Sequence, residues 1–345
     1  MSTDHAPVSA PVSAPAPAPT AHGVHAYDLF NGDADGLCAL HQLRLVEPRD
    51  SFLISGVKRD IALFDQLPSG RPLQVTALDI SWDRNAQGVC RVLNGGGNVT
   101  YFDHHSAKTL FRHPQLTAHI DTGLDVCTSI LVDRHLGGVL RQWAIVAAYG
   151  DNLDAVADRM AREHGCTAAT RGALAQLGYL LNYNAYGESR EDLHFCPVQL
   201  YRSLHRFESP LDFMAKAYEF RRLQEGHASD QQAVQDLAPY TANDRATVYV
   251  LPDRAWARRL CGTLANQLVA RNNGRSVAVL TPRSDGDFLV NLRIGSASAS
   301  RADIFCSRYP AGGGRHGAGG IDRLPDQDMD RFINEFFAHL ESDTP

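Results

Sequence analysis

Apolar, β-branched runs alternate with amphipathic stretches over the first third of the chain. "HAYDLF" reads as a buried strand, and "DGLCALHQLRL" as a helix with Leu37, Leu40 and Leu43 as its apolar positions. "SFLISGV", "LQVTALDI" and "GGNVTYFD" repeat the strand pattern, with helical "IALFDQL" and "RNAQGVCRVL" between them, and "AHID" predicts a further short strand. Strands that alternate with helices predict βαβ units and a doubly wound parallel sheet. From "DVCTSILVDRHLGG" and "QWAIVAAYGDNL" to about residue 235 the pattern is mostly helical. A second mixed unit follows. "ATVYVLP" predicts a strand, and "WARRLCGTLANQLVARNNG" a helix closed by Asn and Gly. "SVAVLTP" and "FLVNLRIG" predict a hairpin around an Asp-Gly turn, and "MDRFINEFFAHL" an amphipathic closing helix.

The fold class predicted is therefore α/β: an N-terminal parallel-sheet domain over 24–200, a helical connector over 201–240 and a smaller α/β domain over 241–345. Residues 1–23, rich in Pro and Ala, predict a disordered tail, because such a segment cannot build a core. The tail has neither a basic start nor an apolar run, so it is not a signal peptide, and nothing in the chain is long enough to span a membrane.

Composition narrows the partners. Across 345 residues the net charge is -6, which excludes a global basic surface for duplex nucleic acid or an anionic membrane. An anionic substrate must then be held by a local site. Seven scattered cysteines without a CxxC pair argue against a disulfide framework and for a reducing, cytoplasmic location.

The candidate chemistry sits where the predicted strands stop. Asp33 and Asp35 follow the first strand in "NGDADG". Asp79 ends "LQVTALD", and Asp103, His104 and His105 end "NVTYFD". In an open parallel sheet, side chains just past the carboxyl ends of neighbouring strands share one crevice. Carboxylates gathered there repel one another unless a proton or a cation intervenes. Carboxylate oxygens with one imidazole suit Mn2+, or Mg2+ with less preference for the nitrogen. Asp151 in "AYGDN" is a fifth acid, after a glycine that lets the chain bend. Taken singly, each acid reads as a turn or a helix cap; three successive strand ends that all carry acids point to a cation site.

"FNGDADG", "ALDIS", "FDHHS" and "AYGDN" resemble, in order, the four motifs of the DHH phosphoesterase superfamily over residues 24 to 155. That superfamily includes RecJ-type exonucleases, nanoRNases, cyclic-dinucleotide phosphodiesterases and family-two inorganic pyrophosphatases. The resemblance implies two Mn2+ ions, with Mg2+ or Co2+ as substitutes. One would lie on Asp33 and Asp79, the other on Asp35, Asp79, His104 and Asp151, with Asp79 bridging. It also implies Asp103 as a close partner of the ligands and His105 as a contact to the substrate phosphate. Two cations of this kind would activate a water for in-line attack on phosphorus. The sequence departs from several members where a His precedes the first Asp: Asn31 and Leu29 stand there, so Asn31 is at most a weak, neutral ligand.

"YPAGGGRHGAGGID" is the other conspicuous stretch. A glycine loop lets backbone N–H groups approach a phosphate, with Arg315 as a charged fork and His316 as a second donor. The segment resembles the GGGHxxAG loop of the first type of DHH-associated domain, and "NLRIG" its preceding strand. This implies Gly313, Gly314, Arg315, His316 and Arg293 as substrate-binding residues and favours a nucleotidic substrate over pyrophosphate.

The function expected is a phosphodiesterase or exonuclease acting on short single-stranded oligonucleotides or small nucleotides. The alternatives are a phosphatase acting on 3′-phosphoadenosine 5′-phosphate, a cyclic-dinucleotide phosphodiesterase, or a catalytically weakened nucleotide-binding protein. The expected partner is the nucleotidic substrate, with a homodimer open, and neither a membrane nor a duplex DNA patch.

Overall fold

The computed structural model describes residues 25–341; the tail expected over residues 1–23 lies outside them. The early alternation becomes a five-stranded sheet. β1 (His25–Phe30), α1 (Ala34–Val46), β2 (Phe52–Ile54), β3 (Leu73–Leu78), α2 (Trp82–Asn94), β4 (Asn98–Asp103) and β5 (Leu116–Ile120) follow in order. The strands pair in the order β2-β1-β3-β4-β5, all parallel. Consecutive strand residues face opposite ways, so Leu29 packs with Trp82 and Val89 on one side, while Phe30, Leu78 and Phe102 join α1 on the other. Phe30 pairs with Leu78, and Leu78 with Phe102. The last apolar residues of β1, β3 and β4 thus form one row across the sheet. The chain order reverses between β1 and β3, which opens a crevice beyond that row.

Seven helices follow: α3 (Thr128–His135), α4 (Arg141–Gly150), α5 (Asp154–Glu163), α6 (Ala168–Ala185), α7 (Pro197–Leu204), α8 (Pro210–Lys216) and α9 (Tyr218–Gln235). The boundary expected at residue 200 falls inside α7. The end of α4 matters most for the site. A Cβ on Gly150 would lie 2.3 Å from Cβ of Ala34 and 2.9 Å from the carbonyl oxygen of Gly178. Only glycine lets α4 end against the start of α1, and this contact delivers Asp151 to the acids of the first motif.

The second sheet comprises β6 (Thr241–Ala242), β7 (Ala246–Val250), β8 (Ser276–Pro282), β9 (Phe288–Arg293), β10 (Gly312–Arg315) and β11 (Ala318–Leu324), in the order β10-β11-β9-β8-β7-β6. Helices α10 (Ala255–Arg271), α11 (Ala302–Cys306) and α12 (Met329–Glu341) accompany it. β7, α10 and β8 form a parallel βαβ unit. β8 and β9 make the expected hairpin, with Gly286 at φ +88° in its turn. Val248, Leu280, Val290 and Ile321 pack with Phe305, Phe332 and Phe336 on one face. On the other face Leu260, Leu264, Val277 and Val279 join the core of the helical layer, so the hydrophobic interior runs from one sheet to the other.

Three sequence expectations need correction. "IALFDQL" forms only a single 3-10 turn, Leu63–Gln66, and the strand expected at "AHID" begins earlier, at Leu116. The glycine-rich segment is a β-hairpin rather than a loop: Gly313 and Gly314 pair with Gly320 and Gly319. Glycine is needed there partly for packing, since a Cβ on Gly319 would lie 2.6 Å from Sγ of Cys306 on α11.

Candidate active site

Asp33 caps α1; its Oδ1 accepts the N–H groups of Asp35 and Gly36 at 3.0 and 3.1 Å. Asp35, in the first turn of the same helix, reaches across the crevice to the head of α3. Its two oxygens accept the N–H groups of Thr128 and Ser129, each at 2.7 Å. Those are unpaired donors of a helix N-terminus, which the Asp35 carboxylate caps. Asp79 lies immediately after β3 at φ +59°, a left-handed conformation that Asp tolerates better than most residues. Its N–H donates to the carbonyl of Phe102 at 3.0 Å, and its Oδ1 accepts from Oγ1 of Thr128 at 3.1 Å.

These acids converge on one imidazole. Nε2 of His104 lies 3.4 Å from Oδ1 of Asp79, 3.7 Å from Oδ2 of Asp151 and 3.9 Å from Oδ2 of Asp35. Ligands about 2.1 Å from a common octahedral cation stand about 3–4 Å from one another. Each of the distances to His104 suits two ligands of one cation, and among the described residues the groups whose ligand atoms all lie close together are Asp35, His104 and Asp151, and Asp79, His104 and His105. The electrostatics agree. Burial, then the charges of Asp35, Asp33 and Asp151, push the Asp79 carboxyl well above the usual carboxylate range. Asp151 is raised to about 6 by burial and by Asp35 and Asp33, against the opposing pull of Lys58 and His104. A cation would relieve that repulsion.

Asp103 is turned elsewhere. Its Oδ2 accepts the N–H of Trp82 at the start of α2, at 3.2 Å, and its Oδ1 lies 2.6 Å from Nδ1 of His105. It orients the second imidazole by its Nδ1 edge.

Asp33, by contrast, meets a residue the sequence reading passed over. Its Oδ2 accepts from Nζ of Lys58, which also donates to Oδ1 of Asn182 at 3.0 Å and lies 3.9 Å from Oδ1 of Asp151. Burial works to raise Asp33, yet the charge and hydrogen bond of Lys58 hold its carboxyl below the usual value. Asn31 is buried beside β3, its N–H on the carbonyl of Leu78 at 3.2 Å; its Nδ2 donates to the carbonyl of Lys58 at 3.4 Å, and its Oδ1 has no partner. Lys58 lies four residues past the end of β2, so the sheet-edge rule that selected the acids applied to it as well.

In the second sheet, Arg315 and Arg293 both pair with Ala318, one from each side. Directly opposed residues of antiparallel strands share a face, so the two guanidinium groups lie on one side of the sheet. Burial, then the charge of Arg315, lowers the pKa of Arg293. Nε of Arg293 donates to Oδ1 of Asn266 at 2.5 Å, and Nη1 to the carbonyl of Leu292 at 2.8 Å. Arg315 and His316 are exposed, and the carbonyl of His316 accepts from Ala302 at 2.8 Å, tying the hairpin tip to α11. β10 is an edge strand, so one side of its Gly313 and Gly314 backbone lies outside the ladder.

No family model and no curated protein sequence matches the chain. Solved structures do. A pGpG-specific phosphodiesterase, PggH, from Vibrio cholerae superposes with TM-score 0.55 at 14% identity, over 93% of this chain and 100% of its own. The exonuclease RecJ bound to manganese gives 0.56 at 16% identity, over 93% and 91%. RecJ from Thermus thermophilus, in complex with Mn2+, gives 0.58 at 14% identity, over 93% of this chain and 52% of that one. The chain shares the fold of these structures, an α/β fold with a parallel sheet and a second, mixed sheet.

Two hollows meet at Lys58, between the first part of the chain and the second sheet, and none of Asp35, Asp79, His104 and Asp151 lines either. A cavity of about 180 Å³ lies between the two parts, bounded by Lys58, Tyr186, Arg258 and Arg283. A wider cleft of about 860 Å³ is lined by Lys58, Arg59, Arg84, Tyr186 and Arg283. Lys58 and Tyr186 belong to both. A Cβ on Gly262 of α10 would lie 2.6 Å from the Tyr186 ring, so glycine there makes room for the phenol. The lining is mixed in charge: Asp60, Glu188 and Asp322 also line these hollows, with Arg59 facing Asp322 and Arg283 facing Glu188.

Proposed function

We propose that the chain is a divalent-cation-dependent phosphodiesterase, preferring Mn2+, that hydrolyses short single-stranded oligonucleotides or small nucleotides. The observation that carries this reading is the convergence of Asp35, Asp79 and Asp151, from three separate segments, on Nε2 of His104. Asp35, Asp79, His104 and Asp151 would hold the cation, which supplies a Lewis acid and a water of lowered pKa when bound. The RecJ structures, with Mn2+ or Mg2+ bound, support a divalent cation.

The side chains divide the remaining work. Asp103 holds His105 by Nδ1, and burial, which would lower the pKa of this imidazole, is outweighed by Asp103, so it is raised. His105 can then donate from Nε2 to a phosphate oxygen. Arg293, Arg315 and His316 bind the substrate from the second domain, with the β10 backbone at Gly313 and Gly314 beside them. Arg59, Arg84 and Arg283 line a cleft whose volume falls in the range of small-ligand sites. That volume, and PggH as a neighbour spanned over its whole length, favour a linear dinucleotide or similarly short substrate. The seven unpaired cysteines support a cytoplasmic setting.

One screen tests the reading. The purified chain with Mn2+ is offered RNA and DNA of two to five nucleotides, cyclic dinucleotides and 3′-phosphoadenosine 5′-phosphate, and the products are resolved. Cleavage of the short linear substrates is expected to be fastest. Phosphate release from the bisphosphorylated adenosine alone would make it a phosphatase, and binding without turnover a nucleotide-binding protein.

A further inference from the structure

Lys58 supplies the positive charge beside Asp33. Its ammonium donates to Oδ2 of Asp33 and to Oδ1 of Asn182, and both ends of its backbone are tied. Its N–H donates to the carbonyl of Ala185 at 2.9 Å, and its carbonyl accepts from Nδ2 of Asn31 at 3.4 Å. The other oxygen of Asp33 already accepts from Asp35 and Gly36.

A dication placed on Asp33 would share that carboxylate with a like charge. The departed motif offers it the unpartnered Oδ1 of Asn31, a neutral oxygen, and the neighbouring Asp79 carboxyl, a hydrogen-bond partner of Asp33, also faces His104. Around His104 the situation is the reverse. Three carboxylates and an imidazole face one another, and the nearest ammonium is 3.9 Å from Asp151. Groups with ligand atoms close enough to share an ion are Asp35, His104 and Asp151, and Asp79, His104 and His105; Asp33 belongs to neither among the described residues.

We propose that the site holds one divalent cation, on Asp35, Asp79, His104 and Asp151, and that the Lys58 ammonium takes the place of the second beside Asp33. The inference rests on reading this cluster as the cation site of a phosphodiesterase. A lysine brings a compact positive charge that needs no separate binding equilibrium. With two of its three donors on Asp33 and Asn182, it keeps one for a phosphate oxygen at the wall of the cleft.

The experiment counts ions. The purified chain, stripped with EDTA and titrated with Mn2+, is expected to bind one ion per chain, with the hyperfine pattern of an isolated ion in electron paramagnetic resonance. Two ions per chain with an exchange-coupled spectrum overturn the inference, and so does none. Replacing Asn31→His together with Lys58→Met restores an imidazole and removes the ammonium, and the ratio is expected to double. A double variant that is folded by circular dichroism yet still binds one ion overturns the role of Lys58. Should the double variant fail to fold, Asn31→His alone decides: the ratio stays at one with Lys58 in place, and a rise to two overturns the proposal. None of these readouts needs turnover. A chain that binds one Mn2+ and cleaves no phosphodiester loses the proposed function and keeps this inference; a chain that cleaves with two bound does the opposite.

Discussion

Nδ1 of His105 lies 2.6 Å from Oδ1 of Asp103, and the other oxygen of that carboxylate accepts the first N–H of α2. Asp103 thus braces an imidazole against a helix N-terminus. Because Asp103 raises the pKa of His105, the charged ring persists above the ordinary value of about 6.5. Phosphate binding through it is present below the raised pKa and fades as pH rises through it. Asp103→Asn is expected to move that limb to lower pH and to weaken activity about 10- to 100-fold near neutrality. The pH profile of KM, with an NMR titration of His105, checks this; an unmoved limb removes His105 from the site.

Asp79 combines a chemical role with a backbone constraint at φ +59°. Asn tolerates that conformation, so Asp79→Asn is expected to keep the fold and lose about 1000-fold or more in Mn2+-dependent turnover. Asp79→Ala should add roughly 1–2 kcal/mol of destabilisation from the left-handed backbone. Thermal melts of both variants beside their rates separate the two effects. Substantial activity in Asp79→Asn would refute the site assignment.

The cation and a proton compete for Asp151, whose carboxyl is raised to about 6 without a bound ion. Mn2+ affinity is expected to climb about tenfold per pH unit below that value, and to keep climbing above it while Asp79, whose carboxyl is also raised, loses its proton. Titration calorimetry from pH 5 to 8 reads the slope. Asp151→Asn should weaken binding and flatten it.

Alanine at Arg315 and His316 removes exposed donors without opening a core. KM should rise about 10- to 100-fold, the worth of a charged hydrogen bond to phosphate, while Mn2+ affinity stays unchanged. Arg293→Ala should add to that loss less than additively, because the two guanidinium groups share one face. Unchanged kinetics on oligonucleotide and mononucleotide alike would take the hairpin out of the site.

The parallel sheet and its acids were legible because both depend on local pattern. A β-branched run ends, an acid follows, and the right-handed βαβ connection places successive ends at one edge. Leu29 and Phe30, facing opposite sides of β1, already carry the two cores in adjacent letters. The hairpin at Gly312–Leu324 was misread because a glycine-rich composition does not tell a cradling loop from a strand packed tightly against a helix. The demand for glycine at residue 319 comes from Cys306 on α11, a partner no local pattern names.

By itself the sequence determined which residues stand at the strand ends and that their charges need compensation. What compensates them was decided only in three dimensions. Lys58 is separated from Asp33 by 25 positions and from Asn182 by 124, and the three meet because β2 lies beside β1 and the end of α6 meets the segment after β2 at Ala185. Electrostatic partnership depends on separation in space, and the packing of a helix on a sheet edge sets that separation.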